Sequence, residues 1–431
     1  MLLLLLLASV TSAEFLAPVL GHDDATLPDL CQQDTVMSCN LVQVDIASLY
    51  NATLDFLGTT LNFLDQPAKN TFTFSSEDGD EAIFTVDIEL AVVWGHAQLA
   101  DGRVFIIEPN LDNCKGCHVV IEENQEAFPE DHAEAPPPST ETRSNSAQTR
   151  AVKALLNMGK TDKTTIVTYS IKLYYTPEVK NSVDDLKTMA DQVLATTNQG
   201  YINSEIPLRA RLHCMEETEE PDAYFTKDLN DFRKYKGGDN GLRGSADAAV
   251  LLFKDQGVSF CGVGFVNSDT TDFGRMMVSI TRLDCALEGY TFGHEIGHNM
   301  GLDHDKYEVV KSSRGRITPY SQGYHLPGTK YRTILAYNRR AQEGNRQRIN
   351  HYSNPRVKKQ NVPTGSNEAD AARRITEVRF VIATIGDESQ ACTTCTSCTP
   401  SGEKDEHTSD SSLLSPSGCL VPGPILWGVI A

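Results

Sequence analysis

Three histidines and a glutamate lie within residues 294–304, at spacings that suit a metal site. His294 and His298 are four residues apart, so on a helix both imidazoles project from one face, one turn apart. Gly301 can adopt the left-handed conformation that ends a helix, and the turn would bring His304 back as a third ligand. Imidazole suits zinc, and three protein ligands leave a fourth position for water. The spacing therefore predicts a single catalytic zinc ion held by three histidines.

Glu295 directly follows the first of these histidines and is the candidate general base. It can take a proton from a water in the fourth position and later deliver it to a leaving amine. Zinc lowers the pKa of such a water from about 15.7 to about 7, so hydroxide is available at neutral pH. Two histidines at this spacing could instead be ordinary core or surface residues. The glutamate, the third histidine and the glycine, all at matching positions, make that alternative weak.

The stretch HEIGHNMGLDH at residues 294–304 resembles the zinc signature of the metzincin metalloendopeptidases. Asp305, which follows it, resembles the adamalysin (reprolysin-like) branch, and bacterial peptidyl-Asp metalloendopeptidases look similar by eye. The similarity spans about residues 164–383, with further matching text at 285–293 and 349–355. It implies a secreted zinc endopeptidase that hydrolyses the peptide bonds of a protein or peptide substrate. The fold implied is α+β, with a twisted mixed sheet above a cleft and the active-site helix along its floor.

Metzincins place a methionine turn beneath the zinc, and the matching segment here is residues 331–337. Leu335 stands at the methionine position, and because the two side chains have similar volumes we expect the hydrophobic floor to survive. Tyr337 matches the spacing at which some metzincins carry a tyrosine near the metal, so it is the second candidate catalytic residue. Its phenol could donate to the oxyanion or ligate zinc reversibly. A packed core tyrosine is the alternative.

Two other functions fit parts of this sequence. A catalytically weak or inactive zinc-binding adhesion or interaction protein of the same fold would keep the metal without turnover; Leu335 supports it, whereas the intact Glu295 speaks against it. A zinc hydrolase acting on a non-peptide amide is the other alternative, which the matching flanks disfavour. The sequence makes no prediction about calcium. Arg339 and Arg340, just after the turn, suggest a preference for acidic substrate residues.

The elements that must position the site lie in residues 151–386, the predicted protease domain. Residues 164–175 alternate between apolar and polar side chains, as in a half-buried strand. Ser182 with Asp185 indicates a helix N-cap, because apolar residues follow at helical spacing. The strand–helix–strand order favours a layered sheet whose edge strand could align an extended substrate. Further strands are predicted at residues 206–212, 248–253, 258–266 and 276–280.

The charge of the 431-residue chain is divided unevenly. Residues 14–150 hold 24 acidic and 5 basic side chains, whereas residues 151–431 hold 34 acidic and 33 basic side chains. We therefore predict an acidic, β-rich propeptide over residues 14–128, with a tight turn at Asp101-Gly102. Residues 129–150 are rich in Pro, Ser and Thr and predict a linker in which cleavage would activate a zymogen. A permanent N-terminal binding domain is the alternative.

The two ends of the chain bear on where it works. Residues 1–13 are an apolar run that ends in small residues, typical of a signal peptide and of an extracellular location. Residues 387–431 form a tail rich in Cys, Ser and Thr, and its apolar end admits a lipid-anchor signal. The net charge of −20 disfavours nucleic-acid binding. No segment has the roughly 18 consecutive apolar residues of a transmembrane helix.

Eleven cysteines in a secreted chain predict disulfide bonds. The resemblance favours a bond between Cys261 and Cys285, and Cys31 with Cys39 could close a short loop. Residues 114–118, CKGCH, allow three interpretations. The two cysteines could form a disulfide, the pentapeptide could attach a c-type haem, or one thiolate could cap the zinc and keep the propeptide form latent.

Overall fold

The computed structural model describes most of the chain outside its two ends, and it contains two sheets with separate hydrophobic cores. Among the described residues, no helix is long and apolar enough to cross a membrane. The predicted signal peptide, the C-terminal tail with its lipid-anchor signal, and Arg339 with Arg340 all lie outside the described residues. The described ranges are 15–18, 29–110, 116–129, 146–225, 229–254, 257–267, 273–287, 289–307, 318–338 and 345–386.

The N-terminal module, residues 15–129, is one nine-stranded antiparallel sheet, as its β-rich sequence predicts. Gly102 has φ +96° in the turn between β7 and β8, which agrees with the predicted Asp101-Gly102 turn. β6 ends at Asp87, and Ile88 and Leu90 lie beyond it in an exposed turn. In the order β1-β2-β9-β8-β7-β6-β5-β4-β3, the strands are β1 Leu16–Pro18, β2 Val36–Val44, β3 Thr53–Phe56, β4 Thr59–Ala68, β5 Thr71–Ser75, β6 Glu81–Asp87, β7 Val92–Gln98, β8 Val104–Pro109 and β9 Cys117–Glu123.

The second sheet has five strands in the order β11-β10-β12-β14-β13. Four of them are parallel and β13 is antiparallel to β14, so the sheet is mixed, as expected. The prediction for β12 is confirmed residue for residue, whereas β13 is three residues long where nine were predicted. The strands are β10 Val167–Tyr175, β11 Leu208–Glu217, β12 Ala248–Phe253, β13 Gly262–Gly264 and β14 Val278–Arg282.

Helices pack on this sheet, and two of their boundaries differ from prediction. The Asp185 carboxylate accepts a hydrogen bond from the Thr188 N–H at 3.1 Å, so Asp185 and not Ser182 caps the third helix. The first helix begins at Ser146, inside the segment assigned to the linker. The helices are α1 Ser146–Thr161, α2 Pro177–Lys180, α3 Leu186–Asn203, α4 Asp222–Phe225, α5 Leu229–Lys234, α6 Asp239–Arg243, α7 Phe273–Met276, α8 Leu283–Leu287, α9 Thr291–Asn299 and α10 Ala371–Ile382.

Two short ladders complete the fold. One pairs β15 (Tyr331–Arg332) with β16 (Gln347–Arg348) in parallel, and the other pairs β17 (Lys358–Lys359) with β18 (Val362–Pro363) in antiparallel orientation. The first ladder holds residues 331–332 beside residues 347–348. This pairing determines which side chains of the two segments face the site described below.

The two halves of the molecule share a packed boundary. Val92 and Trp94 of β7 belong to the same buried cluster as Met189 and Val193 of α3. The Gln192 Nε2 atom donates to the Ile83 carbonyl at 3.2 Å across the same boundary. Burial of large apolar side chains contributes about 1.5–3 kcal/mol each. The N-terminal module is therefore seated on the face of α3 rather than attached through its linker alone.

Candidate metal centre

The helix α9 and the turn after it are shaped by three features of the backbone. Tyr290 precedes the helix in the left-handed region at φ +56°, and all nine helical residues are buried. Gly301 has φ +86°, and a Cβ atom there would lie 2.7 Å from the Arg374 guanidinium. The Leu302 N–H donates to the Gly297 carbonyl at 3.0 Å, which closes the turn. The chain therefore reverses at Gly301, as predicted, and returns toward the helix.

The turn brings the three predicted histidines together. The Nε2 atom of His304 lies 3.3 Å from that of His294 and 3.0 Å from that of His298. Their ligand atoms all lie within 4.8 Å of one another, and each residue is at most 7 % exposed. Three nitrogens at such separations can surround one ion at the usual distance of about 2.0–2.1 Å.

The hydrogen bonds of the rings fix which nitrogens face inward as acceptors. The Nδ1 atom of His294 donates to the Ile334 carbonyl at 2.9 Å, and that of His298 donates to the Leu302 carbonyl at 3.0 Å. Their Nε2 atoms must therefore carry lone pairs, and burial lowers the pKa of His294 well below its usual value. Converging lone pairs repel each other unless a cation lies between them. This donor set fits zinc.

Glu295 lies under the edge strand of the sheet. It is 2 % exposed, and a Cβ atom on Gly262 would lie 2.7 Å from its Cγ. A Cβ atom on Gly264 would lie 3.1 Å from Oε2. Both positions of β13 must be glycine for the backbone to approach the carboxylate this closely. Sequence reasoning missed this contact, although alternating glycines in a strand can signal a close backbone approach.

The loop beneath the helix places Leu335 and Tyr337 where the sequence comparison with metzincins puts them. Leu335 is 1 % exposed, and a Cβ atom on Gly297 would lie 3.2 Å from its Cδ2, so it packs against the underside of α9. The Tyr337 ring centroid lies 4.0 Å from that of His304. The Tyr337 N–H donates to the Asp305 carboxylate at 3.2 Å, which ties the loop to the turn after the third histidine.

Comparison with known proteins agrees with this geometry. Residues 161–369 match the family model described as metallo-peptidase family M12B, reprolysin-like. These residues are a reprolysin-like metallopeptidase domain, of the metzincin type that the sequence predicts. The family implies zinc, which suits the three converging histidines.

Several bacterial proteins are similar to this metallopeptidase domain. A peptidyl-Asp metalloendopeptidase of Stenotrophomonas maltophilia is 31% identical over 215 residues, 46% of this chain and 48% of that protein. One of Xanthomonas campestris pv. campestris is 27% identical over 293 residues, 65% of each chain. The chain thus spans about half the length of the first of these relatives. A crystal structure of metalloproteinase-II from Bacteroides fragilis is 12% identical, covers 65% of this chain and 86% of that one, and has a TM-score of 0.37.

A cavity opens beside the metal centre of the metallopeptidase domain. Thr291, the first residue of α9, and Tyr337 line it together with Arg332 and Arg348. The sequence analysis missed both arginines, because only the parallel pairing of β15 with β16 places them next to the helix. Gln125, Phe128 and Pro129 of the N-terminal module line the same cavity.

The cysteines of the structure settle two of the earlier alternatives. The bonds Cys31–Cys39 and Cys261–Cys285 are both formed, as predicted. Cys117 is fully buried and disulfide-bonded, so it offers no thiolate to the zinc and no thiol to a haem. Cys114 lies outside the described residues.

Proposed function

We propose that this protein is a secreted zinc endopeptidase in which Glu295 is the general base. The observation that carries the proposal is the convergence of three imidazole nitrogens beside a buried carboxylate that lies under the edge strand. When bound, zinc would supply an activated water and a Lewis acid for the scissile carbonyl. His294, His298 and His304 would hold it.

The residues of the chain have separate tasks in this reaction. Glu295 takes the proton of the attacking water and gives it to the amine that leaves. The strand β13 is the last in the order of its sheet and lies directly over Glu295, so an extended peptide can add to it as a further strand. Such pairing would hold the scissile bond near the carboxylate. Water exclusion by the buried walls strengthens each of these polar interactions.

Tyr337 is proposed to stabilise the developing oxyanion through its hydroxyl. Its ring lies 4.0 Å from that of His304, centroid to centroid, and 6.4 Å from that of His294. A single oxyanion donor contributes about 10²–10³ in rate. Tyr337→Phe keeps the ring and its packing while removing the donor. We expect this variant to lose turnover and to keep its metal.

The substitution Glu295→Gln tests the proposal directly, because it keeps the size of the side chain and removes the base. We expect zinc content equal to that of the wild type and a loss of casein hydrolysis by at least about 10³-fold. Asp191→Asn changes a half-buried carboxylate of α3 that pairs with Lys187; it is the matched control and should keep full activity. Wild-type rates in Glu295→Gln would refute the mechanism. A wild-type protein that binds zinc and cleaves no peptide would support the binding-protein alternative.

Residues 14–128 are proposed to be a propeptide that keeps the enzyme latent. Phe128 and Pro129 line the cavity beside Tyr337, and Trp94 packs into the core that α3 shares with the active helix. The module therefore occupies part of the surface beside the candidate site that a substrate would need to contact. Cleavage within the linker, residues 129–150, would separate it from the metallopeptidase domain. Mass spectrometry of the secreted product, taken together with peptidase rates over time, should show activity rising as the module is lost; full activity in the uncleaved chain would favour a permanent N-terminal domain.

An extracellular location agrees with the disulfides. The bonds Cys31–Cys39 and Cys261–Cys285 lie one in each half of the molecule, and such bonds persist in oxidising compartments. The apolar run at residues 1–13 supports the same location. Fractionation of an expressing culture should recover the protein in the medium without residues 1–13.

A preference for acidic substrate residues is proposed from the relatives, which are named peptidyl-Asp metalloendopeptidases. The sequence analysis connected such a preference with Arg339 and Arg340, which lie outside the described residues. Mapping of cleavage sites in a denatured protein mixture tests the preference. Enrichment of Asp or Glu beside the cleaved bonds is expected.

A further inference from the structure

We infer that Cys214 is joined by a disulfide bond to the cysteine cluster of the C-terminal tail, Cys392, Cys395 and Cys398. The bond fastens the tail to β11, the outer strand of the five-stranded sheet. This tether is independent of the proposed peptidase activity, because it concerns the opposite edge of the sheet from the metal centre.

Cys214 is a buried half-cystine near the end of β11. It is 4 % exposed and disulfide-bonded. Four other cysteines are already paired with one another, in the bonds Cys31–Cys39 and Cys261–Cys285. The two Cα atoms of a disulfide usually lie about 4.4–6.8 Å apart. The partner of Cys214 must therefore come to this edge of the sheet.

The register of β11 fixes the face on which Cys214 lies. An extra residue in β11 places Cys214, and not His213, directly opposite Lys172 of β10. Residues that are directly opposite in neighbouring strands share a face of the sheet. Tyr174, two residues after Lys172, shares that face and packs in the cluster formed with α5 and α6. Cys214 therefore projects toward the α5 and α6 side.

The N-terminal module packs on the other side of the sheet. Trp94 of the module lies in the same buried cluster as Leu173, which alternates with Lys172 along β10. The sheet therefore lies between Cys214 and the module, whose sequence contains Cys114 and Cys117. Of the eleven cysteines, those of the tail remain as partners.

The chain after α10 arrives on the Cys214 side of the sheet. The Gly386 N–H donates to one oxygen of the Asp247 carboxylate at 2.9 Å. The hydroxyl of Ser170 donates to the other oxygen, also at 2.9 Å. Ser170 precedes Lys172 by two residues, so it projects from the same face as Cys214. The carboxylate of Asp247 thus fixes the point from which the tail departs.

Ser245 connects this point with the neighbour of Cys214. A Cβ atom on Gly386 would lie 2.2 Å from the Ser245 carbonyl oxygen, and the Ser245 hydroxyl oxygen lies 2.8 Å from Nε2 of His213. Cys392 follows Gly386 by six residues, a length that spans up to about 20 Å when extended. The first cysteine of the tail is therefore within reach of Cys214.

The tether has a structural consequence and leaves the cleft open. The strands β11 and β13 are at opposite ends of the sheet order, and Glu295 lies under β13. The loop that the bond closes contains the three candidate ligands, His294, His298 and His304. A disulfide that closes a long loop restricts the unfolded chain. The bond should therefore stabilise the metallopeptidase domain without changing its turnover.

Tryptic digestion of the alkylated full chain, without reduction, separates the possible partners. Cleavage after Lys and Arg places Cys214 in residues 212–227 and the other cysteines in question in residues 104–115, 116–143, 380–404 and 405–431. Mass spectrometry should find residues 212–227 joined to residues 380–404, and reduction should release both peptides. Linkage of residues 212–227 to any other peptide, or an alkylated Cys214 in the unreduced protein, would overturn the inference.

Thermal unfolding tests the pairing independently. Cys214→Ala should lower Tm by about 5–15 °C, and so should the joint replacement of Cys392, Cys395 and Cys398 by Ala. The two changes combined should lower Tm no further than the larger of them, because both remove the same bond. Cys419→Ala is the matched control and should keep the linked peptides and the wild-type Tm. Additive losses of Tm would contradict the pairing; if Cys214→Ala does not fold, a wild-type Tm in the folded tail variant would contradict it as well.

Discussion

The metal centre and the boundary between the two halves of the molecule both contain buried histidines. The two regions differ in the hydrogen bonds that these rings make. In the centre, the Nδ1 atoms of His294 and His298 each donate a hydrogen bond to a backbone carbonyl. At the boundary, the Nε2 atom of His96 and the Nδ1 atom of His351 have no hydrogen-bond partner among the residues that the structure describes. Burial lowers the pKa of both boundary rings to about 4.

The difference indicates what each region is built to do. Carbonyl partners hold the rings of the centre in one orientation, which prepares them for a ligand. Buried polar atoms without partners cost about 1–3 kcal/mol each. The hydroxyl of Tyr290 and one carboxylate oxygen of Glu123 add to this cost at the boundary, within the described part of the chain. The rings of the centre are held in one orientation, whereas the boundary buries several polar atoms without partners among the described residues, which suits the proposal that the N-terminal module is a propeptide.

The largest effect should come from breaking the centre. His298→Ala removes one of three ligands, and we expect loss of bound zinc together with loss of peptidase activity by about 10³-fold or more. His213→Ala is the control, because His213 is a partly buried histidine that is hydrogen-bonded to Ser245. This variant should keep both its bound zinc and its peptidase activity. Metal analysis and peptide hydrolysis on the same samples give the answer. Zinc retained at the wild-type ratio in His298→Ala would show that the centre is not the metal site.

The next effect should come from breaking the boundary. Trp94→Ala removes a large side chain from the shared core, which typically costs about 3–5 kcal/mol. Because the module is proposed to block the cavity, the uncleaved variant should gain peptidase activity. Ile106→Ala, in a separate cluster with Val119 and Ile121, is the matched control within the module. Equal behaviour of the two uncleaved variants would mean that docking through Trp94 does not control access.

Acid should loosen the boundary through its histidines. Their pKa falls from 6.5 to about 4 on burial, so their contribution to stability is full above pH 6.5 and is lost as the pH falls toward 4. Each ring accounts for about 3 kcal/mol at most. Glu108 and Glu123 act the other way, because burial raises the pKa of Glu108 to about 7 and that of Glu123 well above its usual value. The histidine contribution is therefore isolated by comparison with a variant that lacks one of the two rings.

Trp94 is a built-in reporter for this acid effect, since it is 4 % exposed at the boundary. With Trp427→Phe as the background, its emission should shift to the red between pH 6.5 and pH 4. His96→Phe keeps a ring against Tyr290 and should weaken the pH dependence. An emission that stays constant over this range, with the protein still folded, would count against an acid-sensitive boundary.

The smallest effect should come from the floor of the centre. Leu335→Met restores the side chain typical of metzincins and changes the volume little, so stability should change by less than about 1.5 kcal/mol. We expect turnover within a few-fold of the wild type, because Leu335 already packs against Gly297. Thermal unfolding and casein hydrolysis check both. A rise of several orders of magnitude in activity would instead support the inactive-protein alternative.

Local signals predicted the centre well. The spacing of the histidines, the helix and the turn at Gly301 depend on neighbouring residues, so the sequence contains them directly. Ser182 was wrong as a cap because the chain makes an additional turn before Asp185. The length of β13 was overestimated because the apolar residues around it face a core rather than a ladder.

Long-range contacts could not be predicted in this way. Arg332 and Arg348 become neighbours through a two-residue ladder that has no periodic pattern. The seating of Gln98 on Arg348 joins residues 250 positions apart. Hydrogen bonds of this kind depend on how two finished sheets dock. The sequence alone predicts the chemistry, and the structure adds how the N-terminal module packs beside the candidate site.

X-ray absorption at the zinc edge of the purified protein tests the central claim most directly. Three histidines as ligands predict one zinc per chain, with nitrogen or oxygen neighbours at about 2.0–2.1 Å. The Glu295→Gln variant should give the same spectrum, since that residue is not a ligand. A shell of sulfur at about 2.3 Å, or purified protein without a transition metal, would contradict the account.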